Sequence, residues 1–385
     1  MPKILLGVTG GIAAYKACEL TRLLVKAGHE VVPLVTPGAE RFVTEETFLA
    51  LARRPVSDTR YPHLERADLL VVAPCTANTL AKLAQGLADN VLTEAALAHR
   101  GPVLVAPAMN PRMWAHPATR ANVEALVRRG VELVGPDEGE LAEGEWGVGR
   151  LAEPEEIAAR VEQLLAPGTL AGKRVLVTAG GTREPLDSVR FLGNRSSGRM
   201  GVALAEESRR RGAEVVLLAA NLQVDAPYGV ETIVTPTAEA MLDAALALAD
   251  VDVALLAAAV ADYRPVESLA GKRPKDERGW TIELSPTADI AHALGDRKRP
   301  GQILVAFGAE HGDDGLDRKR GMLAAKNADL VVYNDVGRGD IAFDAPENEV
   351  VLVTRAGERS VPKAPKAEIA RAVLDAVEQL WANGR

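Results

Sequence analysis

Residues 3–36, KILLGVTGGIAAYKACELTRLLVKAGHEVVPLVT, decide the fold. Lys3–Val8 is a short apolar run, Thr9–Gly28 repeats apolar residues at helical spacing and closes on Gly28, and Glu30–Thr36 is apolar again. Strand, glycine turn, helix and strand make a βαβ unit, which implies a parallel sheet with a right-handed crossover. The same alternation continues outward. Leu69–Ala73 (LLVVA) and Val103–Ala106 (VLVA) read as further strands, with helical patterns at Thr76–Leu87 and Ala118–Gly130. The first half is therefore predicted to be a doubly wound α/β domain.

A second start follows the Pro/Gly-bearing stretch APGTLAGK at 166–173, where RVLVTAGGTREPLD repeats the strand-then-glycine logic of the N-terminus. Residues 202–219 read as helix then strand, 251–263 as strand into loop, 303–310 and 329–335 as strand ends, and Lys366–Ala382 as a closing helix. The expectation is two doubly wound domains, residues 1–168 and 169–385. The stretches 135–150 and Tyr263–Trp280 are rich in Gly, Pro and charge, longer than ordinary connectors, and are expected to be loops that close over substrate.

Length agrees, because 385 residues exceed one ordinary core. A hydrophobic content of 47% with 25% charged residues describes a globular chain and excludes disordered and fibrous classes. There is no uncharged apolar stretch of about 20 residues and no basic leader before a cleavable apolar region, so no membrane span and a cytoplasmic location are expected. Cys18 and Cys75 make neither a disulfide framework nor a zinc cluster. The net charge of −8 argues against a general nucleic-acid binder, so any anionic ligand must be held locally by selected cations and backbone N–H groups.

Several segments supply such groups. Thr9–Lys16 (TGGIAAYK) places Gly10 and Gly11 where a strand meets a helix, so backbone N–H groups can approach a phosphate. It is not GxGxxG and no acidic partner stands at the ribose position, which disfavours a dinucleotide and favours a mononucleotide such as FMN. Thr76 and Asn78 follow a strand end in VVAPCTANTL, and Met109 and Asn110 follow another in VAPAMNPRMW, where open α/β sheets bind ligands. Thr76 also reads as a helix cap and Asn110 as a turn residue before Pro111. His63 lies in a connecting loop, and spacing alone assigns it no role. In the second half, Thr178–Asp187 and the cluster Asn194, Ser196, Ser197 and Gly198 offer N–H and O–H donors to a phosphate or carboxylate, with one serine expected as a helix cap. Asp262 ends a buried strand and suits Mg²⁺ or a base's amino group. Lys272 follows in the 263–280 loop as a point charge for a transferring group.

Taken together, GVTGGIAAYK, ADLLVVAPCTANTLAKLAQGLADN, APAMNPRMW and GVGR, then TAGGTREPLDSVRFLGNRSSGRMG, AAVADYRP, VAFGAE and KNADLVVYND, closely resemble the bifunctional coenzyme A biosynthesis proteins over nearly the whole chain. That family fuses a phosphopantothenoylcysteine decarboxylase to a phosphopantothenate–cysteine ligase. The resemblance implies two Rossmann-like domains, the first a flavodoxin-like, flavin-binding cysteine decarboxylase domain. There FMN oxidises the substrate to a thioaldehyde, CO₂ departs, and the resulting enethiol is reduced. On this resemblance His63 is catalytic, Asn110 holds the substrate carboxylate, and Gly10, Gly11, Thr36, Thr76, Asn78 and Met109 lie at the cofactor. For the second half it implies that CTP, with Mg²⁺, activates 4′-phosphopantothenate as an acyl-cytidylate that cysteine then attacks. Asn194 then serves the acyl intermediate, Asp262, Phe307 and the turn Ala288, Asp289, Ile290 and Ala291 contact the nucleotide, and Lys272 and Lys326 reach the phosphates. A homo-oligomer is implied, with N-terminal trimers and C-terminal dimers.

The chain departs from the family pattern at two places. The flap cysteine of the family, which protonates the enethiol, is replaced in Ala142-Glu143-Gly144, leaving Glu143 or Cys75 as candidate donors. A family lysine one turn before Lys326 is Met322, with Lys319 or Arg320 as candidate substitutes. Two other readings compete: a ligase whose N-terminal half is a flavin-binding oligomerisation scaffold with weak or no turnover, and a regulatory flavoprotein that binds partners rather than metabolites. The presence of His63 and Asn110 argues against both.

Overall fold

A computed structural model describes residues 1–54, 66–142, 144–166, 168–275, 279–310, 314–335 and 347–383. The chain divides into two compact units, Met1–Pro167 and Gly168–Arg385.

Unit 1 runs β1 (Lys3–Val8), α1 (Ala14–Lys26), β2 (Glu30–Val35), α2 (Glu45–Leu51), β3 (Leu69–Cys75), α3 (Ala77–Gln85), α4 (Val91–Ala98) and β4 (Val103–Pro107). It continues with α5 (Pro111–Ala115), α6 (Pro117–Arg128), β5 (Glu132–Leu133), the pair β6 (Asp137–Glu140) and β7 (Trp146–Arg150), and α7 (Pro154–Leu165). The main sheet is parallel in the order β2-β1-β3-β4-β5. Its strands are apolar on both faces because both are covered. Ile4, Leu6 and Val8 meet Leu20 and Leu24 of α1, Phe48 of α2 and Val161 of α7. Leu5, Leu70 and Val72 meet Leu80 of α3, Leu92 of α4 and Leu126 of α6 on the other side. This is the doubly wound, flavodoxin-like order, whose ligand crevice opens where β1 and β3 diverge.

Unit 2 opens with β8 (Arg174–Gly180), the short pair β9 (Arg183–Pro185) and β10 (Phe191–Gly193), α8 (Arg199–Arg210), β11 (Glu214–Ala220), β12 (Glu231–Val234), α9 (Ala238–Ala247) and β13 (Val253–Leu256). Then come the pair β14 (Tyr263–Pro265) and β15 (Leu284–Pro286), α10 (Ile290–Asp296), β16 (Ile303–Glu310), α11 (Asp314–Ala325), β17 (Leu330–Asp335), β18 (Glu347–Thr354), β19 (Gly357–Pro365) and α12 (Lys366–Asn383). The sheet order is β12-β11-β8-β13-β16-β17-β18-β19. Leu204 of α8 and Ile369 and Val373 of α12 cover one face, while Met241 of α9, Ile290 and Leu294 of α10 and Leu323 of α11 cover the other.

Three expectations change. Alternation does not persist to the closing helix: β18 pairs antiparallel with β17 and β19 with β18, so the sheet is mixed at one edge. Asp137–Glu140 and Trp146–Arg150, expected as loop, pair antiparallel as the β6–β7 hairpin. The 263–280 stretch is pinned at its root, since β14 pairs with β15.

Candidate functional site

In unit 1 the switch point is stitched by Thr9. Its buried hydroxyl donates to the Pro74 carbonyl at 2.7 Å and accepts from the Thr76 N–H at 3.0 Å, tying the ends of β1 and β3 together. Thr36 donates to the Val8 carbonyl at 3.1 Å, which brings the end of β2 alongside. Gly10 lies against Gly38 so closely that a Cβ would stand 2.7 Å from the Gly38 carbonyl carbon. A Cβ on Gly11 would meet only the Thr76 methyl, at 3.8 Å, so this face of the turn is open. α1 starts here without a side-chain cap or an acidic residue in its first turn, which leaves its positive end to an anion. Gly10, Gly11, Thr36 and Thr76 are thus brought together at the ends of β1, β2 and β3. Thr76 also caps α3, accepting from the Thr79 N–H at 3.4 Å, and Asn78 is exposed in that helix's first turn.

Buried Met109 and half-buried Asn110 lie under the β6–β7 hairpin. The Met109 N–H donates to the Gly149 carbonyl at 2.9 Å, a Cβ on Gly149 would come within 2.2 Å of the Met109 carbonyl oxygen, and one on Gly147 would touch Pro111 at 3.0 Å. The Asn110 carbonyl oxygen caps α5 by accepting from the Arg112 N–H at 2.9 Å, while its amide donates to Glu145 at 2.9 Å. Arg112 donates to the other Glu145 oxygen at 2.7 Å. Glu145, which sequence reasoning did not single out, is thus the carboxylate held against Asn110. Cys75 is removed as a proton donor: its thiol is fully buried, packed with Leu80 and Leu92, and burial pushes it well above the usual thiol range. His63 and Glu143 lie outside the described residues.

In unit 2 a cavity of about 920 Å³ opens at the ends of β8, β13, β16 and β17. Asn194, Asp262, Ala288, Asp289, Ile290, Ala291, Phe307 and Lys326 all line it. The Asn194 side-chain amide donates to the Val260 carbonyl at 2.8 Å, and a Cβ on Gly181 would stand 2.7 Å from the Asn194 backbone oxygen, so Gly181 of TAGG lets the Asn194 backbone approach. α8 is capped by Gly198 at φ +81° without a side-chain bond, which corrects the serine cap; Ser196 instead accepts from the Gly198 N–H at 3.3 Å. Asp289 caps α10 by accepting from the His292 N–H at 3.0 Å and pairs with Lys326 at 3.1 Å. Burial pushes the Asp289 carboxyl up, but those contacts outweigh it and hold the group below the usual carboxylate range.

Lys272 is exposed and is not in the cavity wall. Met322 is in the wall, whereas Arg320 turns to Glu358 at 2.5 Å, and the Lys319 side chain lies outside the described residues. Sequence reasoning also missed Asn334, Asn348 and Lys366, which line the far end. Among the described residues, no group of three or more His, Cys, Asp or Glu is arranged to hold a metal, and no helix is long and apolar enough to cross a membrane.

A glycine-turn crevice at a flavodoxin-like switch point and a large cavity of mixed polar and apolar lining in a second doubly wound unit define a two-domain α/β enzyme of flavoprotein type. Residues 1–166 match the family described as Flavoprotein, and residues 170–380 the DNA/pantothenate metabolism flavoprotein C-terminal domain. The chain is 42% identical to the coenzyme A biosynthesis bifunctional protein CoaBC of Bacillus subtilis (strain 168), over 98% of this chain and 97% of that one. It is 43% identical to the protein of that name from Mycobacterium tuberculosis (strain ATCC 25618 / H37Rv), over 98% and 96%. Among solved structures, the C-terminal domain of a CoaBC is 36% identical, covers 56% of this chain and 99% of its own, and has a TM-score of 0.48. The FMN binding protein AtHal3 is 32% identical over 42% and 94%, with a TM-score of 0.36. The chain belongs to the family of bifunctional coenzyme A biosynthesis proteins. It is an enzyme of two activities, phosphopantothenoylcysteine decarboxylase and phosphopantothenate–cysteine ligase.

Proposed function

We propose that residues 169–385 use CTP to join cysteine to 4′-phosphopantothenate through an acyl-cytidylate, and that residues 1–168 then decarboxylate the product to 4′-phosphopantetheine. The ligase reading is carried by one observation: the expected nucleotide and acyl residues, all but Lys272, line a single cavity. At about 920 Å³ it is at the upper end for a small-molecule site and has room for a nucleotide beside an acyl substrate. Asp262, Ala288–Ala291 and Phe307 hold the cytidine portion, Lys326 turns from Asp289 to the phosphates, and Asn194 steadies the acyl intermediate. Lys272 comes from the 263–280 arm as the point charge on the phosphates. Mg²⁺ enters with the triphosphate, whose charge it offsets.

FMN suits unit 1 because the Gly11 face is open beside an uncapped helix end. When bound it supplies the hydride chemistry of the decarboxylase. Gly10, Gly11, Thr36, Thr76, Asn78 and Met109 hold it. Asn110, fixed by Arg112 and Glu145, binds the substrate carboxylate, His63 serves the reaction, and Glu143 donates the proton that the family's cysteine supplies. The setting is cytoplasmic. Exposed Ile12 and Tyr15 beside the glycine turn, and exposed Phe191, Tyr263 and Leu284 on the short pairs of unit 2, favour assembly into N-terminal trimers and C-terminal dimers.

The test is pyrophosphate release by purified protein. It should require CTP and phosphopantothenate together and fall at least tenfold in Asn194→Ala, with flavin absorbance unchanged. Release without phosphopantothenate, or equal rates with Asn194→Ala, contradicts the ligase assignment.

A further inference from the structure

The 266–283 arm is rooted in the ligase cavity at both ends. The Thr287 N–H donates to the Asp262 carbonyl at 2.9 Å, its hydroxyl donates to the Ala261 carbonyl at 2.6 Å, and both Asp262 and Thr287 are in the cavity wall. Lys272 is exposed, yet its neighbours on both sides are tied to the turn between β9 and β10. The Leu269 N–H donates to the Leu186 carbonyl at 3.1 Å and the Arg273 N–H to the Asp187 carboxylate at 3.2 Å.

Asp187 is the node of this contact. Its side chain is fully covered, and one carboxylate oxygen accepts from the N–H groups of Val189 at 2.8 Å and Arg190 at 2.7 Å. The other accepts from Arg273 and from the Arg190 guanidinium at 2.7 Å. Arg190 donates back to the Arg273 carbonyl at 3.2 Å, and both guanidiniums stack on Trp280, 5.6 and 4.8 Å from the ring centre. Burial pushes the Asp187 carboxyl up, but the N–H groups and Arg190 outweigh it and keep the group ionised. The turn that Asp187 organises leads through β10 directly to Asn194 in the cavity wall.

We propose that Asp187 is a positioning residue of the ligase, fixing the Lys272 arm to the hairpin that carries Asn194 so that both meet the same acyl-nucleotide. The inference rests on the role assigned to Lys272. A carboxylate is needed because four donors converge on it; an amide presents only one acceptor oxygen and brings two N–H groups of its own.

A double-mutant cycle on the full-length, FMN-loaded protein tests this, with CTP-dependent pyrophosphate release as readout. Asp187→Ala should lower kcat about ten- to a hundredfold with a smaller change in KM for CTP, the scale expected for a misplaced phosphate contact. Trypsin should cut at Lys272, Arg273 or Lys275 faster than in the parent. Asp187→Asn, closer in shape, guards against a folding defect and should fall between the two, with parental flavin absorbance and thermal melt. In a Lys272→Gln background Asp187→Ala should cost several-fold less than in the parent, the remainder coming from the turn that leads to Asn194. A full additive loss in that background, or parental kinetics for Asp187→Ala beside an impaired Lys272→Gln, overturns the role of Asp187. Full activity of Lys272→Gln instead overturns the reading of Lys272 beneath it.

Discussion

Gly149 has no room for a side chain, because its carbonyl takes the Met109 N–H while a Cβ would fall 2.2 Å from the Met109 oxygen. Gly149→Ala should therefore lift the β6–β7 hairpin from Asn110 and cut CO₂ release from phosphopantothenoylcysteine about a hundredfold, with pyrophosphate release unchanged. Parental CO₂ release would remove the hairpin from the site. Glu143→Gln should still release CO₂ but accumulate enethiol, read by mass spectrometry of the product. At this scale the sequence was readable where turn chemistry is local. Gly10, Gly11 and Thr76 announce a strand-end crevice through their own backbone demands. Glu145 was not readable, because its partner Asn110 is 35 positions away and only the seating of the hairpin brings them together. Cys75 misled for a related reason, since it stands beside Thr76 and Asn78 in sequence while its side chain packs in space with Leu80 and Leu92.

The elements that periodicity revealed are those with an apolar demand. β1, β3, β4, β8 and β16 are buried on both faces or nearly so and read as continuous apolar runs. β19 escaped because it is an edge strand, exposed along most of its length and carrying Glu358, Arg359 and Lys363. The junction of α8 and α12 was equally hidden. Arg211 ends the run Arg209–Arg211 in sequence, yet its side chain is only 5% exposed and donates to Glu207 at 2.8 Å and to Asp375 and Glu378 at 2.7 Å each. Arg211→Ala leaves Glu207 buried beside Arg210 alone and should cost about 3 kcal/mol in denaturant unfolding of unit 2, whereas Arg211→Met, which keeps the packing, should cost less. Equal losses would locate the stabilisation in the charge rather than the stem.

Across unit 2, Asp187, Glu207, Asp252 and Asp289 are all held below the usual carboxylate range. Burial raises each, and N–H groups or Arg and Lys partners outweigh it. A carboxylate lower in the folded than in the unfolded state stabilises above its unfolded pKa and loses that contribution as pH falls through its folded one. Thermal melts of unit 2 should thus be flat near neutrality and drop once pH falls below the ordinary carboxylate range. Glu206, which burial pushes up, acts in the opposite sense above that range, so it is a melting temperature still rising below the ordinary carboxylate range that would contradict these assignments. The whole molecule joins two chemistries in one chain, ligation in Gly168–Arg385 and decarboxylation in Met1–Pro167. The most direct measurement follows the fate of 4′-phosphopantothenate, cysteine and CTP given to the purified FMN-loaded protein, with pyrophosphate, CO₂ and the final thiol quantified together. One pyrophosphate and one CO₂ are expected for each 4′-phosphopantetheine formed. Pyrophosphate with phosphopantothenoylcysteine but no CO₂ would contradict this, and would leave unit 1 a flavin-binding scaffold.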